Sequence, residues 1–329
     1  MVDNMDKISM IINRAILVDK TNLQEKVIRK VIKDIENSLD INFERLALAS
    51  KIDNKNHNGF IIDKQVIKNI FKNINQEHII YGKVIESKKD KTKIYGLEYL
   101  DKGNILIFNK GNFYVVLELI LRNFLVGNTS IIISKAYMYG VNNLLISIIK
   151  EVLKVNDLSE DFVNLLYTSD EDDVFKEYAN VDLNIVVGSR EEQNKVISNS
   201  KVPVIASGYL SYDLYIDDLV DEDFLKKIMK LGLDINVYIK EDLKIDIPNA
   251  IIVSNLEEAI ATINYNGHHY SSTILTKDAS QAALFIRKVK AKVVTVNTSP
   301  NIESILDIKE RDLALEKTII YPSNPKESI

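Results

Sequence analysis

Residues 103–134 read GNILIFNKGNFYVVLELILRNFLVGNTSIIIS. A short apolar run, ILIFN (105–109), is followed by a helix-length stretch, FYVVLELILRNFLVG, and then by a second apolar run, SIIIS (130–134). Strands that are apolar on both faces, joined through helices, signal a parallel sheet covered on both sides. The alternation continues through a helix around YGVNNLLISIIKEVLKV, the strand VNLLY, the helix DEDDVFKEYA, the strand VDLNIVVG, the helix EEQNKVISN and the strand VPVIAS. The fold class is therefore α/β, with a doubly wound, Rossmann-like parallel sheet of the kind that often binds nucleotides.

Working outward, the first hundred residues read as helices. Ile8, Ile11, Ile12, Ala15 and Val18 recur at helical spacing, as do Val27, Ile28, Val31, Ile32 and Ile35. KIDNKNHNG (51–59) reads as a polar loop. Beyond Gly208, the runs YDLYID, INVYIKED, NAIIVSN, HYSSTILTK and AKVVTVN interleave with the helices LEEAIATINY and SQAALFIRKV, which predicts a second, smaller α/β lobe. The expected division is residues 1–208 for the N-terminal helices and first lobe, 209–300 for the second lobe, and 301–329 for a C-terminal tail with an edge strand.

Composition narrows the function. The chain has 329 residues, 46% hydrophobic and 27% charged, as expected of a globular protein. The net charge of -5 and the absence of a basic stripe argue against nucleic acid. The longest apolar run is broken by Glu118 and Arg122, which argues against a membrane span. With no signal-peptide pattern at the start, a cytoplasmic location is expected. Abundant Lys, Ile and Asn suit an AT-rich bacterial genome. There is no cysteine, so disulfides, thiolate metal sites and thiol catalysis are excluded. Glycine is scarce, 11 of 329, whereas phosphate-cradling loops need glycine so that backbone can approach the ligand.

Gly188 and Ser189 follow a buried strand and open a helix, where a dinucleotide's phosphates would sit. Ser189 and Glu192, however, make an S-x-x-E capping box, and Glu191 adds a second acid in the first turn. A plain cap is the expected reading. His268 and His269 start a strand and point to opposite faces, so they are not expected to share a metal, and no metal site is predicted. His57 reads as a solvated loop residue, and His78 has no evident partner. The acidic runs SEDFV and SDEDDVF read as solvated helix starts.

Four phrases, in order, resemble the gamma-glutamyl phosphate reductase family of the aldehyde dehydrogenase superfamily. They are IDKQVIKNIFKNINQEHIIYGKVIES, the stretch 103–134, VDLNIVVGSREEQNKVISNSKVPVIASG, and NLEEAIATINYNGHHYSSTILTKDASQAALFIRKVKAKVVTVNTS. The resemblance implies an aldehyde dehydrogenase-like fold. It also implies chemistry in which a cysteine attacks the acyl carbon, hydride moves to or from NADP, and an asparagine helps hold the oxyanion. Set against the family's motifs, Asn112 stands at the oxyanion asparagine, Asn297 at the asparagine of V-N-A-S, and Glu316 at the late glutamate of G-L-G-A-E. Gly127 and Asn128 stand in its G-N turn. The basic cofactor contact falls on Ile133, with Lys135 two places on, and Gly188 and Ser189 complete the cofactor candidates.

The departures are as informative. The cysteine phrase falls on LGLDINVYIK, which places Leu231 at the nucleophile and Gly232 after it. The family's C-H reads Tyr212-Asp213, its histidine falls one place early at His269, its arginine after V-N-A-S is Asn301, and its late glycines are Asp312, Ala314 and Thr318. The expectation is a shortened, divergent, non-catalytic relative with a binding or assembly role and no cofactor, or NADP if cofactor binding survives. The alternatives are a working NADP-dependent reductase of gamma-glutamyl phosphate or another acyl phosphate or aldehyde, and a nucleotide-binding sensor. The expected partner is a second copy or a related reductase, joined through HYSSTILTK or the final strand KTIIYP, because superfamily members use a late strand to join subunits.

Overall fold

The structure is a computed structural model. It describes residues 2–53, 62–89, 93–109, 113–134, 138–167, 181–207, 212–218, 222–229, 235–266, 271–298, 306 and 308–322. The chain divides into two compact units, residues 1–207 with 306–329, and residues 208–305.

The first unit begins with four helices, α1 (Val2–Ile16), α2 (Glu25–Ile41), α3 (Phe43–Asp53) and α4 (Lys64–Gln76). The periodicity that predicts α2 is the face it buries: Ile28, Val31, Ile32, Ile35 and Leu39. In α4, the Asp63 side chain accepts from the Gln65 N–H and fixes the start, while Ile67, Ile70, Phe71 and Ile74 face inward. Residues 84–101 do not continue the helices. They form an antiparallel pair, β1 (Val84–Lys89) and β2 (Lys93–Asp101), in which the Ile and Tyr residues of KIYGLEYL suit a strand.

The sheet expected from residues 103–134 follows. It contains β3 (Asn104–Asn109), β4 (Thr129–Ser134), β5 (Val163–Tyr167), β6 (Leu183–Val187) and β7 (Val204–Ser207), joined through α5 (Phe113–Leu125), α6 (Tyr139–Val155) and α7 (Arg190–Asn199). All pairings are parallel, in the order β5-β4-β3-β6-β7. β3 and β4 are buried at every position, as their unbroken apolar runs predict. On one face Leu106, Phe108, Ile131 and Ile133 pack with Ile8, Ile12 and Ala15 of α1. α5 is buried at all thirteen positions, packed against α2 and α4 as well as β3 and β4. A helix with apolar residues on every face must be enclosed in this way, and its buried Glu118 and Arg122 pair with each other. The helix expected at 170–179 lies outside the described residues.

The second unit contains β8 (Tyr212–Ile216), α8 (Glu222–Met229), β9 (Ile235–Lys240), β10 (Ile251–Val253), α9 (Leu256–Asn266), β11 (Ser271–Leu275), α10 (Ala279–Lys288) and β12 (Val293–Val296). Every pairing is again parallel, in the order β10-β9-β8-β11-β12. In chain order within each unit both sheets are 3-2-1-4-5, so each has a switch point between its first and fourth strands. β8 is buried throughout. Tyr215 faces Phe285 and the α9 residues Ala259 and Ile263, while Leu214 and Ile216 face Leu225 and Ile228 of α8. The predicted second α/β lobe is thus a complete doubly wound sheet.

The last strand, β13 (Ala314–Pro322), pairs antiparallel with β2 along nine residues, in the order β1-β2-β13. The segment from Leu306 onward, expected as a separate tail, therefore groups with the first unit. Among the described residues no helix is long and apolar enough to cross a membrane.

The turn between α5 and β4 carries the junction of these parts. Gly127 has φ +76°, the Gly127 N–H donates to Phe124 O, and the Asn128 N–H reaches back to Asn123 O. This is a Schellman helix end, which favours glycine at the left-handed position. A Cβ on Gly127 would also lie 2.8 Å from the Tyr81 ring. Replacing Gly127 with Ala is expected to lower stability by about 1–3 kcal/mol in urea unfolding, combining left-handed strain with overpacking. An unchanged midpoint would contradict this account of the turn.

Candidate functional site

In open parallel sheets ligands bind beyond the C-terminal ends of the strands, near the switch point. In the first unit those ends belong to β3, β4 and β6. Three helices begin there, α5 after β3, α6 after β4 and α7 after β6, and the free N–H groups of a helix start are ready-made anion sites unless the chain fills them.

The starts of α6 and α7 are filled from within, and residues 110–112, which lead into α5, lie outside the described residues. At α7 the capping box is present: Ser189 Oγ accepts from the Glu192 N–H at 3.4 Å, and Glu192 Oε2 accepts from the Ser189 N–H at 2.9 Å and from its Oγ at 3.0 Å. The Glu192 carboxylate also lies over Gly188, 2.5 Å from where a Cβ would stand. Gly188 donates its N–H to Ser207 O and accepts at its carbonyl from Gln193 Nε2. At α6 the Val141 N–H donates to Asp53 Oδ2 at 2.8 Å, and a Cβ on Gly140 would be 2.6 Å from Asp53 Oδ1. A pyrophosphate at either helix would meet a resident carboxylate. Asp53 was read from sequence as part of a polar loop, but α3 runs through it, and only the fold brings it to α6, 88 residues away.

Gly127 and Asn128, taken from the resemblance as cofactor contacts, lie just before β4, at the opposite end of the sheet. Asn128 is buried, and its side chain is fully engaged. Oδ1 accepts from the Lys102 and Gly103 N–H groups at 2.7 and 3.0 Å, and Nδ2 donates to Leu313 O at 2.9 Å. Asn112, Lys135, Leu231 and Gly232 lie outside the described residues, as do His57, His268 and His269.

The remaining candidates are structural in their geometry. Asn297, at φ +51°, donates from Nδ2 to Thr276 O and accepts at Oδ1 from the Thr276 N–H, both at 2.9 Å, clipping the end of β12 to that of β11. Beside it Thr276 Oγ1 donates to Asp217 Oδ2 at 2.7 Å, Tyr215 OH donates to Asp217 Oδ1 at 3.2 Å, and Lys240 Nζ stands 3.4 Å from the same carboxylate. Burial, followed by the Asp217 charge, holds the Tyr215 proton well above the ordinary phenol range. The switch point of the second sheet is thus closed by its own hydrogen bonds. At the other end of that sheet, buried Asp213 accepts from Asn236 Nδ2 at 3.1 Å and from Ser272 Oγ at 3.3 Å. Glu316 is exposed on β13, opposite Tyr99. His78 is exposed. Among the described residues no group of three or more His, Cys, Asp or Glu is placed to hold a metal ion.

Comparison with known proteins agrees with this architecture. No family model matches the chain. The gamma-glutamyl phosphate reductase of Dictyoglomus thermophilum is 25% identical across 87% of this chain and 82% of its own length. That of Leuconostoc mesenteroides is 23% identical across 90% and 88%. Among solved structures, an acetylating aldehyde dehydrogenase from Geobacillus thermoglucosidasius has a TM-score of 0.79 at 11% identity, with 97% of each chain covered. The gamma-glutamyl phosphate reductase of Thermotoga maritima has a TM-score of 0.60 at 17% identity, covering 97% of this chain and 98% of that one. The fold is that of the aldehyde dehydrogenases. Within that class the chain is a sequence relative of the gamma-glutamyl phosphate reductases.

A structural role for Asn297 has a clear signature. Asn297→Gly loses the two side-chain hydrogen bonds but relaxes at positive φ, whereas Asn297→Ala also bears left-handed strain. The alanine variant is expected to be less stable than the glycine variant by about 1 kcal/mol in thermal unfolding. No loss in either variant would contradict the clip, and equal losses would contradict the left-handed strain.

Proposed function

We propose that this chain is a non-catalytic relative of gamma-glutamyl phosphate reductase whose role is binding or assembly. The observation that carries the reading is the absence of cysteine from all 329 residues, with leucine at the position set against the nucleophile. A leucine side chain has no lone pair with which to attack an acyl carbon. A hydroxyl in its place would need an adjacent base and would form a less reactive ester. Removing a nucleophile abolishes catalysis largely as a unit, so remnant oxyanion donors such as Asn112 would sustain little turnover.

The N-termini of α6 and α7 support the same reading for the cofactor. Glu192 and Asp53 occupy the places where NADP phosphates would approach, and Gly188 lies under a carboxylate. These two helix ends do not fit a dinucleotide's phosphates. A cytoplasmic location is part of the proposal, to be checked by cell fractionation.

The assembly half of the proposal rests on β13. It pairs with β2 on one side only, and no described strand covers its other edge. Leu315, Ile320 and Tyr321 are each more than half exposed on it. An open, partly apolar edge is a template for a further strand. A second copy of this chain, or a related reductase, would supply it.

Two measurements test these halves. NADPH oxidation with gamma-glutamyl phosphate, and NADP reduction with glutamate 5-semialdehyde, are expected to stay at background, and millimolar NADP should leave the melting temperature unchanged. Turnover that disappears in Asn112→Ala would overturn the non-catalytic reading, and a ligand-dependent rise in melting temperature without turnover would favour a nucleotide sensor. In sedimentation, Ile320→Lys with Tyr321→Lys is expected to weaken self-association by about tenfold or more, since edge lysines block strand addition. A monomeric wild type would eliminate self-assembly and leave the related reductase as the partner to test.

A further inference from the structure

Where the C-terminal segment meets the first unit, three carboxyl groups surround one guanidinium. Arg122 is 1% exposed on α5. Its Nε and Nη2 both lie 2.9 Å from Glu118 Oε1, and its Nη1 donates to Glu77 Oε1 at 3.2 Å. Glu310, from the segment that leads into β13, brings Oε2 to 3.6 Å from the same Nη1. That distance is beyond hydrogen-bond reach, and this oxygen is buried with no hydrogen-bond partner. The guanidinium's short contacts thus go to Glu118 and Glu77, and the third carboxyl is left with an ion pair at long range.

We propose that Glu310 is a protonation-controlled latch that holds the C-terminal segment, and with it β13, against the first unit. When protonated, it is a neutral donor facing the Glu77 carboxylate. When ionised, it adds a third negative charge around one positive charge and weakens the hold on the segment that carries it. Burial first, and then the Glu77 charge, push its carboxyl above the ordinary glutamate range, against the pull of Arg122.

The other charged groups nearby do not replace the latch. Arg29 on α2 is engaged with the carbonyls of Ile74, Asn75 and Glu77 at the end of α4. On the segment itself, Arg311 lies over the Tyr99 ring at 5.6 Å, and Asp312 accepts from the Lys309 N–H at 2.8 Å. Lys102 Nζ donates to the Asp312 carbonyl at 2.6 Å and Asn128 to that of Leu313, which are contacts to backbone rather than to the Glu310 carboxyl. His78, next to Glu77, is exposed.

The sign follows from linkage. A carboxyl whose folded pKa is raised above its unfolded value binds more protons in the folded state. Its contribution is complete below the unfolded pKa and is lost as pH rises through the raised folded value. The proposal therefore predicts a C-terminal strand that loosens toward neutral and alkaline pH.

Hydrogen exchange of the full chain, read as protection factors so that intrinsic base catalysis cancels, tests it on the peptide spanning 314–322. Between about pH 5 and about pH 8 wild-type protection should fall by about tenfold or more, while Glu310→Gln, a neutral isostere, keeps the low-pH protection across the range. Glu77→Gln removes the neighbouring charge and should shrink the fall even if Glu310→Gln does not fold. A wild type without the fall, a Glu310→Gln variant that falls as the wild type does, or a full fall in Glu77→Gln would each overturn the latch.

Discussion

The Asn128 side-chain amide is the point on which the first unit turns. Its oxygen takes both N–H groups of the β2–β3 turn, and its nitrogen holds the carbonyl of Leu313, so one buried residue joins the central sheet to the antiparallel arm. The Leu313 carbonyl would otherwise be buried without a partner, which costs more than a hydrogen bond normally contributes, and the two N–H groups are half-buried. The preceding glycine allows the close approach, and the arm's last strand follows immediately after Leu313. Residues matched to a cofactor turn by resemblance thus serve as the joint between the two sheets.

The same economy governs the other end of that sheet. Helix N-termini beyond parallel strands must bond to something, and in nucleotide-binding folds a phosphate can serve. Here Asp53 and Glu192 serve instead, and in the second unit Asp217, Thr276 and Asn297 close the switch point among themselves. These groups preserve the framework while occupying the places at which a ligand would be held. The non-catalytic reading draws together this geometry and the missing sulfur.

Much of the scaffold was legible in the sequence because its signals are local. Unbroken apolar runs marked β3 and β4, and Ser189 with Glu192 marked the cap of α7, since a capping box is complete within four residues. What escaped was long-range. Nothing near Asp53 indicates that it caps α6. Gly127 reads equally well as a phosphate-loop glycine or a helix end until Tyr81 is seen packed over it. The β1–β2 pair escaped because it has no clear alternation and is interrupted by charge, and β2 pairs on its other side with β13, more than 200 residues away. The nucleophile position was readable only by counting along a family phrase, because leucine carries no chemical signal of its own.

Intact-mass spectrometry after incubation with an activated gamma-glutamyl analogue tests the central claim most directly. The account predicts no stoichiometric, saturable adduct, only slow and scattered acylation of exposed lysines that tracks reagent concentration. A single acyl group that saturates at one per chain and maps to one side chain would contradict it.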